Sequence, residues 1–108
     1  MSKRDILLYL NDINTACQRI IDYSKKLDFE KFSKDDKTID AIVRNLSVIG
    51  EAANNLPKEL KNSFPDVPWI DIIGMRNKVI HEYFGIDTGI LWQTVSNDIP
   101  ILKKQRIS

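Results

Sequence analysis

From Ile6 onward, apolar or small residues fall at Ile6, Leu10, Ile13, Cys17, Ile20, Ser24 and Leu27, in alternating steps of four and three. That spacing lines one face of a long helix, and Ser2 with Asp5 three residues on resembles a capping-box start. The alternation also fits a heptad, so part of the seam suits a neighbouring helix at the shallow crossing angle of bundles and coiled coils, with bundle packing the commoner case. Residues 28–37 lose the period and carry several charges, which reads as a connection whose two aromatics, Phe29 and Phe32, pack back on the core. The period returns near Asp36, with Ile39, Ile42, Val43, Leu46, Ile49, Ala53 and Leu56 marking a second helix. Pro57 ends or sharply turns it, because proline disfavours helical backbone in the residue before it.

Beyond that point Lys58 to Phe64 suits one short helix, and Pro65-Asp66-Val67-Pro68-Trp69 is the clearest breaker, with Pro68 suited to the first turn of the next helix. That helix is predicted from Trp69 to about Phe84, stopped by Gly85. Asp87 and Thr88 can cap a last helix carrying Leu91, Val95, Ile99 and Leu102, with Pro100 expected to kink or loosen it. There is no repeat, low-complexity tract or convincing strand pattern. The prediction is an all-α, single-domain bundle of four to five helices spanning residues 1–108.

Composition narrows the function only a little. The 108 residues are 43% hydrophobic and 29% charged, an ordinary globular balance that leaves room for one modest core. Sixteen basic residues nearly cancel fifteen acidic ones, for a net charge of +1. Any phosphate-binding surface must therefore be a local patch or cleft, since the global field is weak. Cys17 is the only cysteine, so no intrachain disulfide can form; a buried free thiol on the apolar side of a helix fits a reducing cytoplasm. The start of the chain lacks a signal-peptide run and no stretch approaches a membrane span, so the expected location is cytoplasmic, with no membrane partner.

One segment breaks the pattern. On a helical wheel Trp69, Ile70, Ile72, Ile73, Val79, Ile80, Tyr83 and Phe84 form a broad apolar arc, and Arg76 lies near its middle. An arginine there needs a carboxylate partner, for which Glu51 is a candidate, or a solvated cleft. Asn77 and His81 are four apart and share a border of the arc beside Gly74, where a missing side chain permits close approach. Arg76 and Tyr83 share an adjacent stripe, so the two rows can flank one small cavity. Asp71 and Glu82 fall on the polar side and look solvated.

These residue types permit phosphoryl transfer without a metal. A histidine moves a proton to or from an RNA 2′-hydroxyl or the leaving oxygen, an arginine stabilises charge building on the phosphate, and asparagine orients either. His81 is the only histidine, and one imidazole cannot readily be base and acid in the same step. A second copy of the chain supplies the missing group most simply, which predicts a homodimer with its cleft across the two-fold. A metal centre is disfavoured: one histidine, no cysteine cluster and no His-Glu-x-x-His pattern give a poor ligand supply, and no cofactor is implied.

Arg76-Asn77 followed by His81 resembles the Arg-x4-His signature of HEPN ribonucleases, and Tyr83 extends it as in the HepT toxin branch. Arg44-Asn45-Leu46, Ile49-Gly50-Glu51-Ala52, Val67-Pro68-Trp69 and Ile73-Gly74-Met75 are similar to that family as well, so the resemblance covers essentially the whole chain. It implies a HEPN-like fold and a dimeric, metal-independent endoribonuclease toxin that leaves a 2′,3′-cyclic phosphate and a 5′-hydroxyl, with Arg76 and His81 catalytic. It also implies an MNT-domain nucleotidyltransferase antitoxin (MntA type) that adds AMP to Tyr83, bringing negative charge and bulk to the cleft RNA must enter. Asn77, Glu51 and Arg44 are supporting candidates, the last two more as braces than as reactive groups. Lys103, Lys104 and Arg106 read as a solvated basic tail. Two other readings remain open on the sequence: a non-catalytic binding or adaptor subunit of a nucleotidyltransferase complex, and a helical protein in which Arg76 and His81 only satisfy buried partners.

Overall fold

The seam that begins at Ile6 meets its partner along α3. In a computed structural model of the chain, which describes residues 2–74 and 87–105, α1 runs over Lys3–Ser24 and α3 over Asp36–Asn55, and their packing is the most extensive among the described residues. Leu10, Ile13, Cys17 and Ile20 of α1 are buried against Ile42, Leu46, Ile49 and Ala53 of α3. Ser2 caps α1 as expected, its Oγ accepting from the Asp5 backbone N–H at 3.2 Å. Ser24, the polar member of the seam, is satisfied by donating to the Ile20 carbonyl at 2.8 Å.

Between these helices the structure differs from the sequence reading. Residues 28–37 hold a short helix, α2 (Phe29–Ser33), capped by Asp28, whose Oδ1 accepts from the Lys31 N–H at 2.8 Å. Only one of the two aromatics packs into the core: Phe32 is fully buried, whereas Phe29 is 45% exposed. Asp35 starts α3 by accepting from both the backbone N–H and the hydroxyl of Thr38. These bonds favour its ionised form, the hydroxyl's most of all, and hold its carboxyl below the usual value. Leu56 ends α3 in extended conformation, ψ 146°, as the following Pro57 requires.

Helix α4 (Lys58–Asn62) comes at once after it, and the proline loop then returns the chain to the core through buried Val67. Residues 69–74, labelled α5, are helical; Pro68 precedes them, its carbonyl accepting from the Ile72 N–H at 3.0 Å. The rest of the predicted 69–84 helix lies outside the described residues.

The side chain of Asp87 caps α6 (Thr88–Gln93) by accepting from the N–H groups of Gly89 and Ile90. A π-helical turn over Thr94–Asp98 leads into α7 (Ile99–Lys104). The loosening expected from Pro100 takes this form. Proline has no N–H and its ring crowds the carbonyl four residues back, that of Ser96; the turn widens so that the Ile99 N–H reaches the Thr94 carbonyl. Ile99 and Leu102 still face the core, and α7 packs along α1. Lys103 and Lys104 thus belong to an ordered helix, a difference from the basic tail expected, and Lys103 is half-buried beside α1. Phe32 and Trp92 lock α2 to α6, ring centroids 4.9 Å apart at 43°. The fold is all-α, with no strand among the described residues and no described helix long and apolar enough to cross a membrane.

Candidate active site

The residues that carry the proposed chemistry, Arg76, Asn77, His81 and Tyr83, lie outside the described residues; the framework on either side of them does not. The described residues on either side of that segment end at Gly74 of α5 and resume at Asp87. Pro68, the bonded Trp69 ring and buried Ile72 fix the first anchor. The Asp87 cap and buried Leu91 fix the second.

A groove of about 470 Å³ opens between the two anchors, with Ile70, Asp71 and Gly74 on one wall and Ile90, Asn97 and Asp98 on the other. A Cβ added to Gly74 would meet nothing within 4 Å, so the close approach expected at this glycine is not made by any described residue. Partial burial, and then the neighbouring Asp71 carboxylate, push the Asp98 carboxyl above its usual value. Anions are therefore disfavoured on this side of the framework. Asp71 is exposed, as its place on the polar side of the wheel predicts.

Not every apolar position of α5 points inward. Ile72 is buried and Trp69 and Ile73 are partly so, but Ile70 is 87% exposed and departs from the single apolar arc of the sequence reading. The four residues cover too wide an arc for one helix face to bury against the core, and Ile70 is the one left outside. It stands on the ridge between the groove just described and a second one.

That second groove, about 680 Å³, lies between α4, the proline loop and α5. Lys58 and Lys61 reach it from α4, and Pro65, Pro68, Trp69 and Ile70 give it a mostly apolar wall. The Trp69 indole N–H donates to the carbonyls of Lys61 and Phe64, at 3.0 and 3.1 Å, which fixes the ring in place. The sequence reading did not single out Lys58 or Lys61. Their signal was two lysines three apart directly after a helix-breaking proline, which only the return of Trp69 onto α4 turns into a groove.

Arg44 and Glu51 are seven residues apart on one exposed stripe of α3, with Val48 between them at 38% exposure. Both therefore sit at the surface of α3, while the adjacent Asn45 is buried and donates to the Ala41 carbonyl. Burial pushes the Cys17 thiol up to about 12, which keeps it protonated and unreactive in the core. Among the described residues no group of three or more His, Cys, Asp or Glu side chains is placed to hold a metal ion.

Comparison with known proteins matches residues 13–107 to the family described as "Ribonuclease HepT-like". The chain is 45% identical over 101 residues to "Probable ribonuclease HepT" of Thermococcus cleftensis, covering 94% of this chain and 92% of that one. It is 47% identical to "Putative RNase TTE0752" of Caldanaerobacter subterraneus subsp. tengcongensis, covering 90% and 87% of the two chains. A third relative, "Putative RNase MJ1380" of Methanocaldococcus jannaschii, is 39% identical over 97% of this chain and 96% of its own. No solved structure gives a significant match. With such identity along nearly its full length, the chain belongs to the HepT-like ribonuclease family, a family of RNA-cleaving enzymes.

Proposed function

We propose that the chain is a metal-independent endoribonuclease toxin that works as a homodimer through Arg76 and His81. The observation that carries this reading is the segment Arg76-Asn77-Lys78-Val79-Ile80-His81-Glu82-Tyr83 in a chain that belongs to the HepT-like ribonuclease family. In the reaction the 2′-oxygen of a ribose attacks the adjacent phosphorus and the bond from phosphorus to the 5′-oxygen breaks, leaving a 2′,3′-cyclic phosphate and a 5′-hydroxyl. A base takes the 2′-hydroxyl proton and an acid returns one to the 5′-oxygen. His81 fills one role, and His81 of the partner subunit fills the other across the two-fold. The Arg76 guanidinium offsets the charge that builds on the phosphate oxygens, and Asn77 orients the reacting groups. Arg44 and Glu51, on the exposed stripe of α3, are assigned supporting roles.

In the same reading Tyr83 is the control point of a type VII toxin and antitoxin pair. An MNT-type nucleotidyltransferase moves AMP from ATP to the phenol oxygen, releasing pyrophosphate, and the added phosphate and bulk close the cleft to RNA. The decisive experiment is RNA cleavage in the presence of EDTA. Wild type cuts, whereas His81→Ala and Arg76→Ala, each still folded by circular dichroism, lose at least about a hundredfold in kcat, the scale of a missing general acid or base. Cleavage that needs an added divalent ion, or survives in both variants, would defeat the proposal.

A further inference from the structure

The groove between α4 and α5 takes no part in the chemistry assigned above, yet three of its features suit one kind of ligand. Its volume, about 680 Å³, falls in the range of roughly 300–1,000 Å³ typical of pockets that enclose a small organic molecule. Its wall of Pro65, Pro68, Trp69 and Ile70 is apolar, and the Trp69 ring cannot swing away because two carbonyls hold its N–H. Beside that wall Lys58 and Lys61, three apart on α4, share a face, and among the described residues neither is engaged in an ion pair.

Paired cations beside a rigid apolar wall are what a single nucleic-acid strand requires: positive charge for the phosphates and a flat hydrophobic surface for a base. The far side carries Asp71, whose carboxylate repels phosphate but accepts from the amino groups of bases. The charge asymmetry therefore orients a strand, phosphates toward α4 and base edge toward α5. An acidic peptide would satisfy the lysines equally well, but would fill the Trp69 wall only where it carried an aromatic side chain, a flat face that every nucleotide presents. Continuity of chain adds support, since Ile73, another lining residue, lies three positions before Arg76.

We propose that this groove is a binding subsite for single-stranded RNA, with phosphates held by Lys58 and Lys61 and a base laid against the Trp69 and Ile70 wall. The substrate class rests on the ribonuclease reading. The test compares wild type with Lys58→Glu/Lys61→Glu, and with the neutral pair Lys58→Gln/Lys61→Gln in case charge reversal disturbs folding. Binding of a short fluorescent 2′-O-methyl oligonucleotide, which cannot be cut, is measured by anisotropy over a salt series, and cleavage of the unmodified RNA is measured in parallel.

Loss of two phosphate contacts from a single strand should make the slope of log affinity against log salt less negative by about 1.4, and weaken binding roughly twentyfold near 0.1 M salt. KM should rise to match while kcat changes little, because the subsite holds RNA away from the bond that breaks. Unchanged slope and KM in both double variants would overturn the proposal. So would an acidic peptide that displaces the oligonucleotide from wild type while binding tightly itself, since that would mark a protein-docking surface. If wild type binds the oligonucleotide in a lysine-dependent way but cuts no RNA, the nuclease reading falls and the subsite stands.

Discussion

Cys17 shows how a single buried group reports on the core around it. Its thiol is raised to about 12 by burial, opposed only in part by Lys103. The shift has a definite sign: because the folded value lies above the unfolded one, near 8.5 for a free thiol, stability is fully present below about pH 8.5. It is lost as pH rises from there toward about 12, where the unfolded chain gives up a proton that the folded chain keeps. Two measurements check this. Native protein at pH 8 should react with a disulfide reagent no faster than it unfolds, and the denaturation midpoint should fall on moving from pH 8 to pH 10 by more in wild type than in Cys17→Ala. Rapid labelling of the native thiol would show that the α1 seam opens without unfolding. At the same scale Ile70 teaches the opposite lesson, since an isoleucine placed on an apolar arc by its wheel position is the most exposed of the large hydrophobics described.

At the scale of elements, the short helix α2 is held less by its own five residues than by one ring. A single turn and a half is too short to be stable alone, so its place depends on Phe32, fully buried and packed at a tilt against Trp92. Phe32→Ala should therefore cost about 3–5 kcal/mol in denaturant unfolding, the usual range for emptying a buried phenylalanine site. Phe29→Ala, at 45% exposure, should cost less than about 1 kcal/mol. Equal costs for the two would mean that α2 packs differently. Helix geometry alone does not make the contrast, since side chains three apart lie only about 60° from one another; it comes from packing, because Trp92 covers Phe32 and leaves Phe29 exposed. The π turn before Pro100 is the other element defined by a local conflict. The chain there keeps both its direction and its core face, and the strain of the proline ring is absorbed in one widened turn.

For the whole molecule the main question is whether one chain makes a complete site. The described framework holds both ends of the segment that carries Arg76 and His81, and leaves Ile70 and Ile90 exposed on the two walls of the groove between them. In the proposed reaction one imidazole cannot readily be base and acid in the same step, and the chain has one histidine. The prediction is a particle of twice the chain mass by light scattering, with RNA cleavage falling faster than protein concentration once dilution splits the dimer. A monomer with undiminished specific activity would remove the shared site from the proposal.

Much of this was legible in the chain itself. The seams of α1 and α3, the Ser2 and Asp87 caps, the stop at Pro57 and the disturbance at Pro100 all come from local spacing and backbone restriction, which act within one turn and need no partner. The family likewise rests on residue identity and order, so it could be read before any fold was known. What the sequence could not fix depends on which surfaces meet. That Phe32 rather than Phe29 is buried, that Ile70 is left outside, and that Trp69 folds back onto α4 beside Lys58 and Lys61 are all outcomes of packing between separate elements. Periodicity shows that a helix has an apolar face, but only the other helices determine how much of that face they can cover.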